Sequence, residues 1–228
     1  MNKILVIAPH PDDEVLGCGG TIKKHVKSGD DVYLCLVTRP LVGQNDWTAE
    51  YVENKDKEIK ASDDFMGFKQ VFFLDLPALR LDTVPKKDIN DKISDVVNKV
   101  KPNILYVPFF GDINHDHRLV FEASFVAARI RSGVAVEKIL AYEISPTTEQ
   151  GGIAGQKSDI FLPNYFEDIS DYLDDKLKAM EFYKSELKEH EHPRSLKGID
   201  ALAKKRGSES GVKAAEAFML IREINYGR

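Results

Sequence analysis

The chain has 228 residues, 43% hydrophobic and 30% charged, with a formal net charge of -5. That length and composition fit one soluble α/β domain spanning residues 1–228. The acidic balance speaks against a nucleic-acid partner, which needs a basic face. No run approaches the ~18 apolar residues of a membrane span, and Cys18 and Cys35 form no CxxC pair or disulfide framework.

Ile4-Leu5-Val6-Ile7-Ala8 is an unbroken apolar run, which predicts a buried parallel strand over 3–8. The run is too short for a signal-peptide core, and Pro9 and three acids follow, so a cytoplasmic protein is expected. Val15, Cys18, Ile22 and Val26 then share one helical face that stops at Gly29, predicting a helix over 14–28. Further strands are expected at 31–37, 70–74, 104–108, 138–142 and 158–163, and helices at 49–67, 86–101, 117–132, 170–189 and 197–205. Ala217 to Ile221 reads as a strand or a helix. On the exposed side of helix 170–189, Asp174 is expected to pair with Lys178. This alternation implies an α/β fold, a mostly parallel sheet with helices on both faces. The irregular stretches 39–48 and 145–157 follow strands, where binding loops lie, and are expected to rim the site.

Two clusters carry chemistry. His10-Pro11-Asp12-Asp13-Glu14 follows the first strand, and Asp112-Ile113-Asn114-His115-Asp116-His117-Arg118 follows Ile104-Leu105-Tyr106-Val107. In a doubly wound sheet these two strands are neighbours at the point where the order reverses, so the two turns meet. His10, Asp13 and His117 can then converge as two imidazoles and one carboxylate, the pattern of a catalytic zinc site with an open position. Such an ion lowers the pKa of its water toward about 7. Asp12 adjoins Asp13 but points elsewhere, which suits a general base. First-turn acids also complement a helix dipole by about 0.3–1 kcal/mol each, which accounts for the acids but not for the histidine. Asp116 suits an orienting role behind a histidine or the loop.

Other residues carry weaker signals. Gly17, Gly19 and Gly20 sit inside the helix rather than in its turn, so close helix–sheet packing explains them better than phosphate binding. Arg39 is a candidate for a substrate carboxylate or phosphate, weighed evenly against a surface arginine. Trp47 is a candidate sugar platform, weighed against a loop anchor. His190, His192 and Arg194 follow a helix C-terminus, where cations need no further role, so His192 and Arg194 stand as weaker substrate-binding candidates. His25 reads as a helix-surface residue and the two cysteines as core.

Ala8 to Glu14 together with Asp116-His117-Arg118 resemble the PIG-L/LmbE-type zinc-dependent N-deacetylases, which hydrolyse the acetamide of N-acetylglucosaminyl compounds. The resemblance implies a Rossmann-like fold, metal ligands at His10, Asp13 and His117, the general base at Asp12, and a homo-oligomer. It also implies an N-acetyl amino-sugar substrate and Zn2+, with Fe2+ or another divalent metal as alternatives. One position departs. Many members have a histidine three residues before the last ligand, whereas this chain has Asn114, whose amide can donate to an oxyanion but cannot act as an acid. Two rival functions are a non-haem Fe(II) facial-triad enzyme, against which the spare Asp12 argues, and a non-catalytic sugar-binding module.

Overall fold

The computed structural model describes residues 1–130, 136–154, 159–189 and 191–226. Its strands are β1 (Lys3–Ala8), β2 (Asp31–Arg39), β3 (Gln70–Pro77), β4 (Ile104–Pro108), β5 (Lys138–Tyr142), β6 (Tyr165–Asp168) and β7 (Ala215–Glu223). The helices are α1 (Asp13–Lys27), α2 (Ala49–Met66), α3 (Lys86–Val100), α4 (His115–Ala127), α5 (Thr147–Ala154), α6 (Leu173–Phe182) and α7 (Leu196–Ser210). One sheet runs β3-β2-β1-β4-β5-β7-β6. The first five strands are parallel, and β7 joins β5 and β6 antiparallel. The strand order reverses between β1 and β4, as expected.

The period-2 alternation of a strand divides β1 between two cores. Ile4, Val6 and Ala8 pack under α1, α2, α6 and α7. Leu5 and Ile7 face α3 and α4. All five are fully buried, which is why β1 reads as a continuous apolar run.

Helix α1 is bent at Cys18, whose φ of -148° and ψ of 26° are not helical. The bend strands backbone groups that side chains from distant elements collect. Lys176 Nζ donates to Leu16 O at 2.8 Å, and Glu216 accepts from Gly20 N and Thr21 N at 3.0 and 2.7 Å. Lys176 and Glu216, both buried, pair at 2.5 Å. The expected close packing of the α1 glycines holds: a Cβ on Gly17 would fall inside the Tyr142 ring, and one on Gly20 would crowd Ile169.

Several boundaries differ from expectation. No strand forms at 159–163. Pro163 cannot donate, pairing starts where Asn164 N reaches Phe218 O, and the edge strand is β6 instead. Helix 170–189 shortens to α6, because Tyr183 turns inward to bond Glu14 and Glu58 takes Ser185 N. There Lys178 pairs with Glu181 at 2.7 Å rather than with Asp174. Helix 117–132 starts at His115 and ends at Ala127, with 131–132 outside the described residues. Helix 197–205 extends to Leu196–Ser210, between a Ser195 cap and Gly211 at φ 77°. Residues 147–154 are helical rather than irregular, and 155–157 lie outside the described residues. Ala217 to Ile221 belongs to strand β7. His25 is half-buried, with Nδ1 2.8 Å from Asp30 and Nε2 3.1 Å from the Tyr106 hydroxyl.

Asp63 on α2 is a half-buried liability. Burial, with the charge of Glu14 beside it, pushes its carboxyl from 3.8 up to about 8, and its Oδ1 lacks a hydrogen-bond partner. A folded pKa above the unfolded one means that the folded state holds the extra proton between pH ~4 and ~8, so stability falls as pH rises through that window. Asp63→Asn is expected to raise Tm at pH 8 by about 2–4 °C, equivalent to ~1 kcal/mol, and to change it little at pH 4. Thermal melts at the two pH values check this, and an equal shift at both would refute it.

Candidate metal centre

The turn after β1 is pinned to its neighbour, since Pro9 O accepts from Thr38 N at 3.0 Å and Thr38 Oγ1 at 2.8 Å. At its tip Asp12 has φ 122°, a region that L side chains rarely adopt and that costs of order 1–3 kcal/mol. Asp12 occupies the N-cap position of α1, yet its side chain caps nothing. Its carboxylate, 3% exposed, instead has Oδ2 3.4 Å from Arg194 Nη1. Helix capping therefore does not explain this aspartate.

His10, Asp13 and His117 come together at the switch point. Asp13 Oδ2 lies 3.1 Å from His10 Nδ1 and 3.4 Å from His117 Nε2, and the two ring nitrogens are 3.3 Å apart. Bonds of about 2.0–2.1 Å in a tetrahedral shell place ligands roughly 3.3 Å apart, so this triangle has the size of one face of such a shell. The second carboxylate oxygen, Asp13 Oδ1, is buried without a hydrogen-bond partner. An orphan acceptor beside two imidazoles fits a cation.

The far side of each imidazole meets another carboxylate. His10 Nε2 is 3.0 Å from Asp116 Oδ2, and His117 Nδ1 is 3.2 Å from Asp112 Oδ2. This arrangement fixes ring orientation and raises ligand basicity. Asp116 also accepts from Leu79 N and Leu81 N, and Asp112 from the Thr147 and Thr148 hydroxyls. Burial opposes charge on His10, but Asp116 and Asp13 outweigh it and push its pKa up to about 10. His117 is likewise raised against burial, chiefly by Asp13. Burial also works against the charge on Asp13, and the two histidines hold its carboxyl well below the usual range. The cluster thus draws positive charge. Asp12 behaves oppositely: burial and then the Asp13 charge push its carboxyl up, with Arg194 opposing.

His10 and Asp13 line a cavity with about 700 Å³ of empty space, counting its mouth, within the usual span for small-molecule pockets; His117 lies behind them, fully buried. Asn114 lines it as the cap of α4. Its Oδ1 accepts from Asp116 N at 3.0 Å, so the NH2 end is the one available to a ligand. Trp47 and Arg194 also line the cavity. Arg39 does not: its guanidinium lies 2.9 Å from Asp75 and 3.4 Å from Asp56, over the Phe73 ring. His192 is exposed, and its Nδ1 accepts from Arg194 N at 3.0 Å, outside the cavity wall. His190 lies outside the described residues. Loop 39–48 rims the cavity through Pro40 and Trp47, whereas none of the described residues 145–154 lines it.

Sequence reasoning missed Tyr51, Lys55 and Glu186. Lys55 is 3% exposed, with Nζ 2.6 Å from Glu186 Oε1. A signal existed, because the buried positions of α2 are Lys55, Ile59, Ser62 and Met66, a helical stripe in which a lysine is out of place.

A sequence profile described as GlcNAc-PI de-N-acetylase, PIG-L, matches residues 5–128, more than half of the chain. The chain belongs to the PIG-L family. A diacetylchitobiose deacetylase of Thermococcus kodakarensis is 29% identical to this PIG-L family chain, covering 98% of it and 85% of the relative. A probable N-acetyl-alpha-D-glucosaminyl L-malate deacetylase 2 of Bacillus cereus is 25% identical, over 80% of this chain and 83% of its own. Among solved structures, GalB, the 4-carboxy-2-hydroxymuconate hydratase from Pseudomonas putida KT2440, superposes with a TM-score of 0.78 at 20% identity, covering 100% of this chain and 99% of that one. That likeness speaks for the fold alone. Among the described residues, no helix is long and apolar enough to cross a membrane.

Proposed function

We propose that this PIG-L family member is a zinc-dependent N-deacetylase that hydrolyses the acetamide of an N-acetylglucosamine-type sugar or its conjugate. The observation that carries the reading is the pairing of a ligand triangle of tetrahedral size with a buried carboxylate, Asp12, that neither ligates nor caps. His10, Asp13 and His117 would hold the ion, and Asp112 and Asp116 would orient the imidazoles. A divalent ion there supplies a Lewis acid and makes water a stronger nucleophile at neutral pH.

The chain's own groups do the rest. Asp12 Oδ accepts the proton of the attacking water as general base. Arg194, 3.4 Å away, favours its ionised form against burial. The Asn114 NH2 donates toward the acetyl oxygen as negative charge develops there. Among the described residues the cavity wall holds no imidazole but that of His10, and the proton taken up by Asp12 is assigned to the leaving amine.

The test is amine release from N-acetylglucosaminides by metal-stripped protein, with and without added Zn2+. Activity restored by about one equivalent of zinc is expected, in the absence of oxygen as well as in air. Full activity in the stripped protein, or a strict need for O2, would refute the reading.

A further inference from the structure

We infer that, granted the deacetylase reading above, the cavity selects substrates whose aglycone is uncharged and lays an apolar face on Leu79 and Trp47. Leu79 carries two costs at once. Its backbone is left-handed at φ 60°, where a non-glycine residue is disfavoured by roughly 1–2 kcal/mol, and its side chain is 58% exposed at the cavity wall. Packing within the fold therefore offsets neither. The strained segment is nevertheless held firmly. Leu79 N donates to Asp116 Oδ2 at 2.7 Å, and Gln44 Nε2 donates to Ala78 O at 2.5 Å. The carboxylate that steadies His10 thus also sets the leucine at the mouth of the metal cavity. A glycine would satisfy the same backbone without strain, so the leucine side chain serves something outside the fold.

Trp47 faces the same space. Gly43, Asn45 and Asp46 all take left-handed conformations, at φ 81°, 49° and 61°, and Gly43 N bonds Trp47 O at 2.9 Å. The loop so formed delivers the indole onto Tyr51, stacked at 5.8 Å and 12°. An aromatic plane and an aliphatic side chain together suit a ligand with an apolar face.

Charge decides against an anionic aglycone. Lys55 is paired with Glu186 at 2.6 Å, and Arg194 lies 3.4 Å from Asp12 and 4.0 Å from Glu186. Arg39 is occupied by Asp56 and Asp75. Lys55 and Arg194, the two cations that line the cavity, are thus each already paired with a carboxylate.

The experiment compares methyl, benzyl and 1-phosphate derivatives of N-acetylglucosamine on the full-length, metal-loaded protein. Benzyl should exceed methyl in kcat/KM by about tenfold, the lower end of what an apolar pocket discriminates, with the phosphate below both. Leu79→Gly should pull the benzyl-to-methyl ratio toward one while Tm stays level or rises, and Trp47→Ala should reduce the ratio as well. A ratio near one in the native protein, a preference for the phosphate, or a Leu79→Gly variant that keeps the ratio or melts lower would overturn the inference while leaving deacetylation standing. No amine from any of the three would overturn the deacetylase reading and this inference with it.

Discussion

Asp12→Asn is expected to retain metal and fold and to lose roughly 10²–10⁴-fold in kcat, the usual worth of general acid–base catalysis. The amide matches the carboxylate in size, and the side chain makes no capping bond whose loss would disturb α1. KM should therefore change little, because the missing interaction belongs to proton transfer. In the native enzyme the rate should climb with pH as Asp12 ionises, since only the carboxylate can accept a proton. Burial and the Asp13 charge move that limb above the ordinary carboxylate range. In the variant the limb should vanish. Steady-state kinetics across pH, with metal content by elemental analysis, check both parts. A variant that loses its metal while Asp13→Asn keeps metal and turnover would mean that the two carboxylates have exchanged roles.

Asp13→Ala is expected to lose metal and activity together. Two imidazoles alone hold zinc weakly, and the substitution leaves His10 and His117 facing each other at 3.3 Å without the carboxylate between them. Native protein should bind about one divalent ion per chain. His117→Ala should behave like Asp13→Ala, because His117 is fully buried and no other imidazole stands in its place among the described residues. Elemental analysis and chelator sensitivity decide. Unchanged metal content in both variants would place the ion elsewhere.

The parts of this molecule that were legible in its sequence are those fixed by short-range pattern. The continuous apolar run of β1 announced burial on both faces, and a histidine beside acids in the following turn announced chemistry at the switch point. Asp116 was legible as the carboxylate beside a histidine of the cluster, although the imidazole it meets is that of His10, on the other crossover. What stayed hidden depends on distant elements. Lys55 meets Glu186 only because α2 packs beside the segment after α6. Arg39 points away from the cavity because Asp75, in a left-handed turn at φ 52°, draws its guanidinium outward. The end of α6 is set by Tyr183 reaching Glu14, 169 residues earlier in the chain. Such contacts leave no periodicity to read.

The bend in α1 bears on how the protein could be taken apart. Every proposed ligand lies within residues 5–128, and the motif alone invites the use of that stretch as a minimal unit. The two side chains that complete the bent helix, Lys176 and Glu216, come from far outside it. Cutting the chain after α4 would leave a carbonyl and two amides of the ligand-bearing helix without their partners, and would bare the face on which Tyr142 and Ile169 rest. The motif is contiguous, but the object that holds it in shape is the whole sheet.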